Sequence, residues 1–142
     1  MYEELTAYIS KFSKIRFGKK MIYENYETFF DGTPPFWENL YRFLDSHPEL
    51  KEMHYSAFLE KRGIKFEFDS MNNADVSTLD GKTVLTLIVA ASRTDHLCEG
   101  SLQTFVRAGC IKRWLMRLKE IDEENAKQKK VNRRRKKQDL SR

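Results

Sequence analysis

From Cys110 to Asp122 the apolar side chains Ile111, Trp114, Leu115, Leu118 and Ile121 stand at i, i+3, i+4, i+7 and i+10, and after Asp122 the pattern stops. That spacing places five large side chains on one face of an α-helix, and such a face needs a surface to pack against. Residues 123–142 hold only Ala126, Val131 and Leu140 as apolar members, too few to order a segment by burial. The sequence therefore divides into a body, residues 1–122, expected to be a single helical domain, and a C-terminal tail, residues 123–142. A length of 142 residues suits one domain, and 40% hydrophobic content with 13% aromatics is enough for a core.

Charge follows the same division. The net charge is +5, yet the tail alone carries nine bases against three acids, which leaves the body near neutrality. Eight of the eleven residues from Lys127 to Lys137 are basic: Lys127, Lys129, Lys130, Arg133, Arg134, Arg135, Lys136 and Lys137. A run of this kind, with no acid and no aromatic inside it, suits salt-sensitive and sequence-independent contact with nucleic acid, another polyanion or an acidic protein. The plainer alternative is a solvated extension that serves solubility. Because the bases look spread around any helix, with no Asn or Gln in a repeated register, no base-reading face is expected.

The rest of the body reads as helices. Leu5, Tyr8, Ile9 and Phe12 predict an amphipathic helix over about residues 2–13. After the turn residues Asp31 to Pro35, the apolar face of Phe36, Trp37, Leu40, Tyr41, Phe43 and Leu44 predicts a helix that ends before Pro48. A further helical stretch is expected from Leu50 to Gly63, with Gly63 as a left-handed cap. Ile64 to Phe68 alternates apolar and polar and predicts a short strand, whose partner would be Met21 to Tyr23. Val84 to Ala91 is apolar nearly all round and reads as a buried central helix, with a buried strand as the rival. Leu102, Phe105 and Val106 give a helix stopped by Gly109. The fold class is thus mainly α, a compact helical domain with room for one small two-stranded β ribbon.

Chemistry-bearing side chains concentrate between two apolar runs, in Arg93-Thr94-Asp95-His96-Leu97-Cys98-Glu99-Gly100. In a structural role Asp95 would cap the helix that follows, Glu99 would lie one turn on, and Arg93 would clamp both acids. In a catalytic role Asp95 and Glu99 would hold a divalent cation, His96 would act as base and Arg93 would steady a phosphate, as in a hydrolase or other phosphate-handling enzyme. No second ligand cluster accompanies them, so no metal or cofactor is expected. Cys98 and Cys110 lack metal-knuckle spacing and are expected to be reduced, with Cys98 inert beside Leu97 in an apolar junction.

Several of these residues carry a resemblance. Leu87-Ile88-Val89-Ala90, Arg93-Thr94-Asp95, Cys98-Glu99-Gly100-Ser101-Leu102, Gly109-Cys110-Ile111 and Trp114 to Ile121 resemble the C-terminal signature of a bacterial and archaeal family known only as a domain of unknown function. Where that family has Arg and Phe, this chain has His96 and Leu97, which puts a role for a second arginine in doubt. The resemblance covers about a third of the chain well and implies no particular activity.

No glycine-rich phosphate loop is present and no run reaches membrane-helix length, so a cytoplasmic protein is expected. The leading function is then non-catalytic binding through the tail, and the alternative is the enzyme built on Arg93, Asp95, His96 and Glu99.

Overall fold

The computed structural model describes residues 1–13, 35–94, 97, 98 and 100–140, with side chains to Lys137. Among these residues the backbone is helical, with no strand. The helices are α1 (Glu3–Thr6), α2 (Ile9–Ser13), α3 (Phe36–Ser46), α4 (Tyr55–Glu60), α5 (Phe68–Asn72), α6 (Gly81–Arg93), α7 (Ser101–Arg107) and α8 (Cys110–Leu140), with single 3-10 turns at Pro48–Leu50 and Val76–Thr78. At the centre α6 packs between α4, α7 and α8, while α1 and α2 lie across α8.

α6 settles the rivalry between helix and strand at Val84 to Ala91. Asp80 caps it, accepting hydrogen bonds from the Thr83 amide (2.9 Å) and the Thr83 hydroxyl (2.5 Å). The buried Thr86 hydroxyl donates to the Lys82 carbonyl at 2.7 Å, so no polar atom opposes burial on either face. With Val84, Leu85, Leu87, Ile88, Ala90 and Ala91 all buried, packing outweighs the β preference of Val, Ile and Thr. At its start Gly81 passes close under the Tyr2 phenol; an added Cβ would lie 1.9 Å from that hydroxyl oxygen.

The ribbon expected at Ile64 to Phe68 does not form, and its proposed partner, Met21 to Tyr23, lies outside the described residues. Gly63, at φ 78°, completes a Schellman cap on α4: its amide donates to the Glu60 carbonyl and the Ile64 amide to the Leu59 carbonyl, both at 3.0 Å. The Lys65 amide turns to the Ser70 hydroxyl and the Glu67 amide to the Lys65 carbonyl, so local acceptors take the groups a ladder would use. Burial still alternates along the segment, which is what the sequence pattern registered.

Two other expected helices are interrupted. The N-terminal one breaks at Ala7–Tyr8 into α1 and α2, and the stretch after Pro48 becomes a 3-10 turn, an open loop and α4, with Glu52 taking the His54 amide at 3.0 Å. α8 meets expectation over its first third: Cys110, Ile111, Trp114, Leu115 and Leu118 are fully buried. The Trp114 indole N–H has no acceptor among the described residues. α8 then runs on as one helix to Leu140, about 27 Å beyond Asp122, with the side chains from Glu123 to Lys137 exposed. No helix among the described residues is long and apolar enough to cross a membrane.

Candidate functional site

The basic segment is the distal part of α8, and its helical geometry changes what its sequence suggests. At about 100° per residue, Lys127, Lys129, Lys130, Arg133, Arg134, Lys136 and Lys137 fall within one half of the helix circumference. Arg135 alone lies on the other half, among Asn125, Gln128, Val131 and Asn132. A single cationic face therefore exists where the linear sequence suggested none, and it spans about 15 Å from Lys127 to Lys137. The amides Asn125, Gln128 and Asn132 stand at i, i+3 and i+7, a register the sequence reading missed, and Gln128 donates to Asn132 at 3.3 Å. These amides sit opposite the bases, so a phosphate surface against one face leaves the other in solvent.

The arm is seated at its base. Asp122 accepts from the Tyr2 amide at 2.9 Å and meets the N-terminal ammonium at 3.1 Å. Arg117, with its side chain 12% exposed, donates to the Leu79 carbonyl and reaches Glu120 and Glu124, each at 3.3 Å. Further out the bases crowd one another: Lys129 and Arg133, Lys130 and Arg134, and Arg133 and Lys137 are i, i+4 neighbours of like charge, each pair costing about 0.2–0.5 kcal/mol. Good intrinsic helix formers and bases near the C-terminal end of the helix dipole offset part of that cost.

The junction is a different kind of place. Of its four candidate residues only Arg93 is described; Asp95, His96 and Glu99 lie outside the described residues, and so does the proposed clamp between them. Arg93 is exposed and lies over the Tyr41 ring, 5.6 Å from its centroid. No carboxylate among the described residues pairs with it. The cap expected from Asp95 is corrected by α7 itself, which begins at Ser101 with Gly100 in the cap position, at φ 89°. The apolar junction expected around Cys98 is also corrected, since Cys98 is exposed and Leu97 is 77% exposed.

Cys110, by contrast, is buried: its thiol contacts the Asn72 side-chain oxygen at 3.1 Å, and burial pushes its pKa up despite nearby Arg113. That is the environment of an inert thiol. His47 stacks on Phe43 with its Nδ1 2.9 Å from the Phe43 carbonyl, a structural position. The buried stripe of Trp114 and Leu118 removes α8's inner face from any groove-reading role.

Beside Arg93 opens a cleft of about 420 Å³ between α3, the loop after Leu50 and α6. A smaller hollow of about 250 Å³ lies on the far side of Leu97, lined by Phe66, Cys98, Ser101 and Thr104 among others. No family model, curated protein or solved structure matches this chain.

Proposed function

We propose that this is a non-catalytic cytoplasmic binding protein whose projecting basic helix holds the phosphate backbone of nucleic acid. The observation that carries the proposal is the gathering of seven of eight bases on one exposed half of the distal α8 helix. Phosphates along that face would replace like-charge repulsion with attraction and release the counterions condensed on the nucleic acid. The amides point away from such a surface, so affinity comes without base readout, in the ~10⁻⁴ to 10⁻⁶ M range of non-specific binding.

The test is fluorescence anisotropy with a random-sequence duplex. A variant with Lys130, Arg133, Arg134 and Lys137 replaced by Gln loses most of the binding, whereas Asn125, Gln128 and Asn132 replaced by Ala leave it within about twofold. Equal losses from both variants, or no loss from the first, would overturn the proposal.

A further inference from the structure

The cleft beside Arg93 has the walls of a ligand site. Leu44 on α3, Leu50, and Leu85 and Val89 on α6 give it apolar lining. Its volume of about 420 Å³ falls within the usual range for small-molecule pockets, roughly 300–1,000 Å³. Met53 and Leu97, both lining it, are 75% and 77% exposed, more than any other large apolar side chain described. Two bare apolar side chains on one cleft are an unmet hydrophobic demand rather than the scatter normal for a surface.

The charges around the cleft are not equivalent. Lys51 is held by Asp45 at 3.0 Å. Glu52 is held by Lys82 at 3.6 Å and also accepts the His54 amide, which keeps its carboxyl below the usual range. The Thr86 hydroxyl is spent on the Lys82 carbonyl, and Tyr41 is linked to Ser92 at 3.1 Å. Arg93 alone among the charged groups of the lining has no ionic partner or side-chain hydrogen bond among the described residues, and its guanidinium carbon lies 5.6 Å from the Tyr41 ring centroid. A guanidinium offers paired N–H groups that match a planar carboxylate.

From an apolar-lined cleft that carries one guanidinium unpaired among the described residues, we infer that it binds a small monocarboxylate with an apolar body, its carboxylate on Arg93 and its chain between α3 and α6. The site stands apart from the cationic face of α8 and does not rest on the nucleic-acid proposal.

Isothermal titration of the full-length chain with decanoate, decanol, decylamine and acetate tests it. Decanoate binds, with decanol and decylamine at least about tenfold weaker and acetate showing no measurable binding. Arg93→Gln removes most of the preference for decanoate over decanol, and Arg93→Lys restores part of it. Val89→Phe, which fills the cleft, weakens both decanoate and decanol about tenfold or more. Circular dichroism confirms that each variant is folded, and the Lys130, Arg133, Arg134 and Lys137 to Gln variant shows that the arm is not the decanoate site. The inference fails if no probe binds, if the three ten-carbon probes bind alike, if the arm variant loses decanoate, or if Arg93→Gln changes nothing. It also fails if light scattering shows a dimer that Met53→Ser and Leu97→Ser dissociate, since the cleft then faces a second copy of the chain.

Discussion

The two parts of α8 share one backbone geometry and little else. From Cys110 to Ile121 the helix is held by burial: Trp114, Leu115 and Leu118 are fully enclosed against α1, α2, α6 and α7. From Glu123 onward every described side chain is exposed, and what governs the segment is propensity and charge. A helix needs either a packed stripe or a sufficient set of local terms, and this one passes from the first support to the second within a turn. The proximal part makes the protein stable; the distal part leaves a cationic face free to meet something else.

The comparison can be broken most forcefully at Trp114. Trp114→Ala should destabilise the chain by about 3–5 kcal/mol, because a fully buried indole leaves a cavity among close-packed neighbours. Chemical denaturation reads the change directly. A loss under about 1 kcal/mol would mean that the stripe does not carry the body.

The next effect sharpens the contrast, since it concerns a polar group that matters within the packed region. Asp80→Ala should cost about 0.5–2 kcal/mol and Asp80→Asn much less, as the amide oxygen can still accept from Thr83. Burial alone would raise the Asp80 pKa, but the Thr83 hydroxyl and amide outweigh it and hold the carboxyl below its ordinary value. A depressed folded-state value means that the contribution is present above the unfolded carboxylate pKa of about 4 and is lost as pH falls through the folded value. Acid titration should therefore show the gap between parent and Asp80→Ala narrowing as pH falls below about 4 and closing only below the depressed folded value.

Arg93→Ala should cost no more than about 1 kcal/mol, the worth of an exposed cation over an aromatic ring. A larger loss in the thermal melt would revive the acid clamp expected from the sequence. Smallest of all, removal of residues 123–142 should change folding stability by less than about 0.5 kcal/mol, because no described side chain there is buried.

Much of this division was legible from residue order. The stripe from Ile111 to Ile121, the buried run from Val84 to Ala91, and the stops at Gly63 and Gly109 each rest on a local rule that tertiary packing reinforced. Ile64 to Phe68 misled because alternating burial is necessary for a strand but not sufficient; the Schellman cap and Ser70 supplied other hydrogen-bond partners. The cationic face escaped the sequence reading because the bases were taken to lie on every side of a helix, whereas at about 100° per residue seven of the eight fall on one half, and α8 continues past Asp122 to carry them. The cleft was illegible for another reason: Tyr41, Met53, Val89 and Arg93 are brought together by packing, with no motif in common. Of the four candidate catalytic residues at the junction only Arg93 is described, and it borders that cleft.

The most direct measurement is a salt titration of duplex binding by the full-length chain and by a chain ending at Asp122. Full-length protein should bind random and single-sequence duplexes alike, with log Kobs falling linearly against log salt at a slope of about −0.9 per phosphate neutralised. The shortened chain should show no binding at any salt concentration while melting as the parent does. Equal affinity in the shortened chain, or a preference above about 100-fold for one sequence, would place recognition in the body and contradict the division of α8.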